Sequence, residues 1–278
     1  MGTRRTNPPL AALAALSALL GLSALSGCGG GVPLLHPAHA LPAGSTAFAV
    51  GVSDRFALGD AQRALDEAQQ RMPGAPPGNA PAPADLRAAR GALVALAEGP
   101  ALAPYAAARV GIPGTNEAGL SYSGQALRGD FRHAFEWGAS ALSVGLGVSG
   151  RGFGQNTPEL PSIDLSRAHA LGVDLPILAG YHTDADLIAV WAGMRASLDH
   201  WSGSVSLDSG AGYELDANRL AIGPVFGMSL GLPPFWVSAE LALDYGHVTG
   251  QLDRPGSRYD AQIDGWSARP AGALVAKF

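Results

Sequence analysis

The stretch RLAIGPVFGMSLGLPPFWVSAELALDY, residues 219–245, decides the fold of this chain. Large apolar residues occupy alternate positions on both sides of Pro233-Pro234, while glycine, serine and charged residues fill many of the positions between them. Because the side chains of a β-strand alternate between its two faces, this pattern predicts two antiparallel strands, each with one apolar face. The apolar faces hold Leu220, Ile222, Pro224, Phe226, Met228, Leu230 and Leu232 in the first strand, and Phe235, Val237, Ala239, Leu241, Leu243 and Tyr245 in the second.

The two predicted strands are long enough to cross a lipid bilayer, which takes about nine to eleven tilted residues. Phe235 and Tyr245 place an aromatic side chain at each end of one apolar face. Aromatic residues at both ends are typical of a lipid-facing strand that lies between two interfacial girdles. The same alternation recurs in residues 171–181 and 188–198, each time opposite a charged residue.

The composition disfavours a soluble enzyme. The chain has 38 glycines among 278 residues, and 15% of its residues are charged. Average proteins contain about 7% glycine and about 25% charged residues. The formal net charge of −5 also argues against nucleic-acid binding, which needs a basic surface to neutralise phosphates.

The alternating segments follow one another from residue 101 to residue 278, and lipid cannot satisfy the open edge of a sheet. We therefore predict an all-β fold, an antiparallel up-and-down transmembrane β-barrel with an N-terminal helical insert. Eight strands are favoured, and ten are possible because residues 45–58 and 205–215 also alternate. The count of eight uses short turns near Pro233, Thr183 and Arg128 and longer loops at 150–168, 200–217 and 250–262.

Four segments follow from this interpretation: a leader at 1–27, a flexible tether at 28–44, a strand with a helical pair at 45–100, and the barrel at 101–278. The tether is rich in proline, glycine and alanine, a composition that does not form regular elements. Within 45–100, apolar residues recur every three to four positions in two stretches separated by a proline-rich interval, which predicts two amphipathic helices.

The first 28 residues carry the pattern of a secretory signal: Arg4-Arg5, then an apolar stretch, then small residues. The sequence Leu25-Ser26-Gly27-Cys28 resembles the bacterial lipobox. This resemblance implies that lipoprotein-processing enzymes cleave before Cys28 and acylate it. Residue 29 is glycine rather than the aspartate that often retains such lipoproteins at the inner membrane, which implies sorting to the outer membrane.

The C-terminal segment alternates through Leu274 and Ala276 and ends on the aromatic residue Phe278. It resembles the assembly signal of Gram-negative outer-membrane β-barrels, in particular the small class with eight to ten strands. The resemblance implies an outer-membrane location and contact with the barrel assembly machinery and with outer-membrane lipid. It implies no single activity, because small barrels include adhesins, structural anchors, narrow pores and lipid-modifying enzymes.

The polar faces of the predicted strands carry charges of both signs. Since buried charges need partners, we expect these side chains to pair inside a narrow barrel rather than to catalyse a reaction. The predicted lumen charges are Asp174, Arg195, Glu240, Asp244, Arg269 and Lys277. We expect no cofactor and no metal, because the histidines are dispersed and the glycines at 145–152 lack the lysine of a phosphate-binding loop.

The favoured interpretation is a non-enzymatic outer-membrane barrel with a structural, surface-interaction or narrow-transport role. One alternative is a lipid-tethered soluble ligand-binding barrel of the lipocalin kind, which would hold its large apolar residues inside. Another is a lipid-modifying enzyme, for which His133 with Glu136 and His247 with Asp244 are the nearest candidates. The direction of the apolar faces separates the membrane barrel from the ligand binder.

Overall fold

A computed structural model describes residues 32–69, 83–98, 102–124, 126–152, 163–164, 166–183, 186–207, 212–254 and 257–278. The leader and Cys28 lie outside these residues. The described strands are β1 (Thr46–Ser53), β2 (Phe56–Leu58), β3 (Ala103–Ile112), β4 (Asn116–Ser123), β5 (Ala126–Trp137), β6 (Ser140–Gly152), β7 (Ile163–Asp164), β8 (His169–His182), β9 (Ile188–Leu207), β10 (Gly212–Leu232), β11 (Phe235–Arg254) and β12 (Ser257–Lys277). The described helices are α1 (Asp60–Gln69) and α2 (Pro83–Glu98).

Ten antiparallel strands form a closed ring in the order β1-β3-β4-β5-β6-β8-β9-β10-β11-β12. The ring closes where β12 pairs with β1, in a register that runs from Ala47 opposite Lys277 to Ser53 opposite Ala271. The short strands β2 and β7 pair with β12 and β9, respectively. The predicted all-β up-and-down barrel is confirmed, with the larger of the two strand counts.

The favoured count of eight is too low, and the structure shows why. Strand β1 belongs to the ring, and the region from residue 101 onwards supplies nine further ring strands. The turn placed near Arg128 lies instead at Gly124, which has a positive φ of 61°, and Arg128 is inside β5. The long loops placed at 200–217 and 250–262 are mostly continuous strand, because β9 to β12 extend through them.

Within the apolar belt, most of the large apolar side chains point outward and the charged ones point inward. Phe226 and Leu241 are 49% and 41% exposed, whereas Glu240 is 5% exposed. On the inner face, Gly227 leaves room for an indole: a Cβ built at Gly227 would lie 2.0 Å from the Trp191 ring. The soluble ligand-binding alternative required the opposite arrangement and is therefore wrong for this fold.

The outward apolar belt ends part-way along the longest strands. On β10 the outer face is polar up to Asn218 and apolar from Leu220 to Leu232. The same change occurs between Leu198 and His200 on β9 and between Tyr245 and His247 on β11. We call residues 200–207, 212–218, 247–254 and 257–264 the strand extension, and the end of the barrel where they lie the extension end.

Short connections mark the opposite end, which we call the short-turn end. They lie at residues 113–115, 138–139, 183–187 and 233–234. The C-terminus and the start of β1 also lie there, since Phe278 and Thr46 exchange two backbone hydrogen bonds of 2.8 and 2.9 Å. The extension end has short connections at 124–125 and 255–256, but the long connection between β6 and β8 also lies there, and longer connections at one end are the asymmetry expected of a membrane barrel.

The helices pack inside the extension end. Leu93 and Leu96 of α2 are fully buried in an apolar cluster that also holds Trp201, Tyr213 and Leu252 on the inner face of the strand extension. Helix α2 begins at Pro83, a residue favoured in the first helical turn because its missing N–H costs nothing there. Neither described helix is long and apolar enough to cross a membrane.

Candidate functional site

Residues 32–44, which we predicted as part of a flexible tether, run through the lumen to the short-turn end, where residues 42–44 are exposed, and we call them the plug. The side chains of Val32, Leu34 and Ala38 are at most 1% exposed. The plug forms no helix or strand, as its prolines led us to expect. Its composition excluded regular structure but left open whether the chain was free or held, and here the barrel wall holds it.

Glu240 on β11 makes the most direct attachment to the plug. One of its carboxylate oxygens accepts the backbone N–H of Leu34 at 2.8 Å, and the other accepts the N–H of Leu35 at 2.7 Å. Two consecutive backbone donors therefore share one buried carboxylate. Hydrogen bonds to an ionised acceptor are about twice as strong as neutral ones, so this contact anchors the deep part of the plug.

Arginine side chains bind the carbonyl groups of the plug. Arg195 donates from Nη1 to the carbonyl oxygen of Val32 at 2.8 Å. Arg132 donates to the carbonyls of Pro37 and His39, the latter at 2.8 Å. These bonds satisfy backbone groups that an irregular buried chain cannot satisfy by itself.

Two further carboxylates hold the plug near the short-turn end. Glu117 accepts the N–H of Leu41 at 2.8 Å, and Glu136 accepts the N–H of Ala40 at 3.0 Å. The His39 ring lies edge-on to His182, with 4.2 Å between the ring centroids. The plug is therefore attached along most of its length.

Charges on the wall form a continuous network behind the plug. Asp174 accepts two hydrogen bonds from Arg128, at 2.8 and 2.9 Å, and lies 3.2 Å from Arg195. Asp130 binds both Arg128 and Arg109, each at 2.6 Å. Each carboxylate thus bridges two guanidinium groups on neighbouring parts of the wall.

The network continues through Glu117 on one side, and a second group of charges lies towards the extension end. Glu117 joins Arg109 to Arg132, with 2.7 Å between Arg132 Nη2 and Glu117 Oε2. Towards the extension end, Asp199 lies 3.5 Å from Arg219 and 3.9 Å from Arg151.

The structure places five of the six predicted lumen charges deep in the lumen: Asp174, Arg195, Glu240, Asp244 and Arg269. Asp244 pairs directly with Arg269. The sixth, Lys277, lies at the short-turn end, where it contacts Asp186 at 2.6 Å and sits over the Trp236 ring.

Five lumen charges on β3, β4 and β5 were not predicted from the sequence, namely Arg109, Glu117, Arg128, Asp130 and Arg132. A signal was present, because these residues occupy alternate positions along each strand opposite apolar side chains. Placing a turn at Arg128 hid it.

The terminal residues lie on the outer face. Leu274 and Phe278 are exposed, and Ala276 shares their face. The Phe278 ring lies near Phe48 of β1, with 6.5 Å between the centroids. The final strand therefore presents its apolar face outward while it closes the ring with β1.

Neither pair proposed for catalysis comes together. His133 faces outward and contacts Asn116, whereas Glu136 contacts the plug. His247 contacts Asp264 at 2.5 Å on the outer face, whereas Asp244 is inside the lumen. Among the described residues, no three histidine, cysteine or carboxylate side chains are grouped as metal ligands.

The plug does not fill all of the space inside the wall. A cavity of about 270 Å³ lies between the plug and the inner faces of β1, β3 and β12 at the short-turn end. Its wall includes the small side chains of Ala47, Ala49 and Ala107. The small wall residues on this side therefore leave interior space that the plug only partly fills.

No protein-family model matches the sequence, and no curated protein matches it. Among solved structures, the chain is similar to the attachment invasion locus protein Ail of Yersinia pestis, with 10% identity and a TM-score of 0.34 over 85% of this chain and 100% of that one. Neisserial surface protein A gives 11% identity and 0.30 over 84% and 96%. The toluene transporter TodX of Pseudomonas putida gives 9% and 0.29 over 85% and 89%. Scores this low carry no argument about what the chain does.

Proposed function

We propose that this protein is a non-enzymatic outer-membrane barrel that serves as a normally closed, narrow conduit for small polar solutes, with residues 32–44 as its plug. One observation carries the proposal: small wall residues face the plug, so the lumen is filled by a separate stretch of chain. Val32 and Leu35 pack against Ala47, Ala49 and Ala273.

The width of the ring supports this interpretation. An eight-stranded barrel is just wide enough for its own side chains to fill, and the diameter grows with strand number. A ten-stranded barrel with a purely structural role could close its lumen with large inward side chains on every strand. Here β1 and β12 instead carry alanine at several inward positions, so without the plug these strands would leave space inside the short-turn end of the lumen.

The outer-membrane location rests on the outer surface of the barrel and on both chain ends. An even number of antiparallel strands, an outward apolar belt and short turns at one end are features of bacterial outer-membrane barrels, whose short turns face the periplasm. Tyr245 and Trp266 pack together near one edge of the belt, with ring centroids 5.4 Å apart, as expected of an aromatic girdle. The signal at the N-terminus and the final Phe278 favour the same location.

Lipid attachment at Cys28 is part of the proposal. Cys28 lies four residues before Val32 in the sequence, and four extended residues span at most about 14 Å. A lipid on Cys28 would therefore be joined to the lumen-bound Val32 by a short length of chain. A lipid at this position would couple any movement of the plug to the membrane.

The test of the conduit is a plug-deletion variant, in which residue 31 is joined directly to residue 45. Folding is checked by the altered electrophoretic mobility of an unheated barrel. In planar bilayers we expect the unaltered protein to give no stable conductance steps and the plug-deletion variant to give regular steps. If the folded variant stays silent even when residues 60–98 are also replaced by a short glycine-serine linker, the conduit proposal is wrong.

Silence in both variants would favour a second role, presentation of a surface at the extension end. The observation behind this role is the strand extension itself, which rises on one side of the barrel and is backed by α1 and α2. Its outer face is polar, and Glu214 lies directly opposite Asp253 there. Such a surface suits contacts in water rather than in lipid.

A further inference from the structure

One edge of the strand extension has no described strand beside it. Strand β12 pairs with β1 through residues 271–277 and with β2 through residues 266–268, but no described strand continues on that side. On its other side β12 pairs with β11 without a break from Ala276 to Ser257. Residues 257–265 of β12 therefore form an edge of the sheet at the extension end, and we call them the open edge.

The hydrogen bonds at the end of β12 show which backbone groups point to the open edge. Phe278 exchanges two hydrogen bonds with Thr46, so even-numbered residues bond towards β1. Lys277 donates to the carbonyl of Pro234, so odd-numbered residues bond towards β11. Because the β11–β12 register is unbroken, this alternation continues along the whole of β12. Four residues therefore each direct one N–H and one C=O to the open edge: Arg258, Asp260, Gln262 and Asp264.

These backbone groups lie in water. Trp266 packs with Tyr245 near one edge of the apolar belt, and the open edge lies beyond it. A Cβ built at Gly265 would lie 2.8 Å from the methyl group of Ala61, so α1 packs closely against the inner face of β12 there. Among the described residues, none pairs with the four N–H and C=O groups of the open edge. Such an edge is a template to which another extended chain can add.

The side chains of the open edge differ between its two faces. On the inner face, Tyr259 packs against the apolar cluster that contains the buried Ile263. On the outer face, Arg258 lies 3.8 Å from Asp253 of β11, whereas Asp260 is exposed and has no ion pair among the described residues. An added strand would therefore meet apolar side chains on one face and an uncompensated negative charge on the other.

The outer face of the strand extension is acidic well beyond the open edge. Its described carboxylates are Glu214, Asp216, Asp253, Asp260 and Asp264, and its one described arginine is Arg258. Opposite charges on neighbouring strands stabilise a sheet, and like charges destabilise it. This surface therefore favours a partner with basic side chains and disfavours an acidic one.

We propose that the open edge binds an extended polypeptide segment with alternate basic and apolar residues, which adds to β12 as a further strand. Main-chain hydrogen bonds hold the segment, and side chains on its two faces give specificity. Its basic residues lie beside Asp260, and its apolar residues lie beside Tyr259 and Ile263. A second copy in the same membrane would instead bring an equally acidic edge. This inference deepens the surface-presentation role and does not depend on conduction.

The experiment measures the binding of fluorescent peptides to the folded full-length barrel in detergent by anisotropy. The probe is a peptide of about eight residues, a common strand length, that alternates lysine with valine and should bind saturably. Gln262→Pro removes an N–H of the open edge but spares the bonds to β11, so it should weaken binding about tenfold or more. The matched control, Gln262→Ala, keeps that N–H and should bind as the unaltered protein does. Asp260→Asn should weaken binding several-fold.

Two further peptides keep the inference falsifiable even if Gln262→Pro does not fold. The first carries N-methyl groups on alternate residues and cannot complete a strand ladder, and the second replaces lysine with glutamate. Equal binding of the N-methylated peptide would show adsorption by charge without strand addition, and equal binding of the glutamate peptide would exclude a basic partner. Absence of binding by the lysine peptide would show that the open edge accepts no strand. Each of these results overturns the inference and leaves the conduit to the conductance test.

Discussion

Replacing Glu240 with glutamine should loosen the plug by an amount that the structure allows us to estimate. The carboxylate accepts two N–H groups, from Leu34 and Leu35, whereas an amide offers one oxygen and turns an NH2 group towards the second donor. The variant therefore loses one charge-assisted hydrogen bond, leaves one backbone donor without its acceptor, and weakens the bond that remains. Such losses cost about 2 to 4 kcal/mol. At 1.4 kcal/mol per factor of ten, the population with a released plug should rise about 30- to 700-fold.

A buried reporter thiol can measure that population. Val32→Cys fits the space of the original side chain and is enclosed in the lumen while the plug is bound. With Cys28 changed to serine, it is the only thiol in the chain. Its rate of reaction with a charged maleimide reports release of the plug, and Glu240→Gln should raise that rate by the factor given above. Glu214→Gln, which alters an exposed carboxylate in the strand extension, should not.

An unchanged labelling rate in a folded Glu240→Gln barrel would refute this reasoning. It would mean either that other contacts hold the plug without help from Glu240, or that release is limited elsewhere. A rate that was already fast in the unaltered barrel would show that the plug is not stably bound. Both results would count against a normally closed conduit.

Three further predictions concern the lipid-facing surface, the response to acid and the N-terminus. Leu241→Arg should lower the free energy of unfolding from bilayers by about 2 to 4 kcal/mol, while Thr249→Arg, on the same strand but beyond the apolar belt, should have little effect. Burial lowers the pKa of His39 at the short-turn end, and the neighbouring His182 ring lowers it further. The bound plug therefore favours the neutral form of the His39 ring. Its binding should therefore weaken as the pH falls below about 6.5, and bilayer recordings should show more openings at pH 5.5 than at pH 7.5. An equal frequency would contradict this. Mass spectrometry of the mature N-terminus should find lipid on Cys28, and an unmodified N-terminus beyond Cys28 would rule out the lipobox reading.

The alternation of side chains along the strands predicted which residues face outward and which face the lumen. Phe226, Leu241 and Glu240 each point as the period of two requires, because a strand cannot turn one residue over without turning its neighbours. The deep lumen charges on β8 to β12 were predictable for the same reason. Their partners were not, since a pair such as Arg128 with Asp174 joins positions 46 residues apart in the sequence.

Strand number was harder to predict because the evidence in the sequence changes at the edge of the membrane. Beyond Leu198 and Leu220 the outer face becomes polar while the inner face becomes apolar, where it packs against the helices. The period of two is kept, but the faces exchange character. A search for lipid-facing strands therefore ends at the membrane edge and assigns the remainder to loops.

The plug could not be predicted from the alternation of side chains, because that alternation carries no information about the volume of the lumen. Alanines at 47, 49 and 273 were visible as small inward residues, and each was compatible with a narrow barrel. In a ring of ten strands the same alanines leave a gap that their own side chains cannot fill, and protein interiors are close-packed. Some other part of the chain must occupy most of that space. A proline-rich segment suits it, because a chain without internal hydrogen bonds offers its backbone groups to Glu240, Arg132 and Arg195 on the wall. Strand count and inward side-chain volume, considered together, indicate that another part of the chain must fill the lumen.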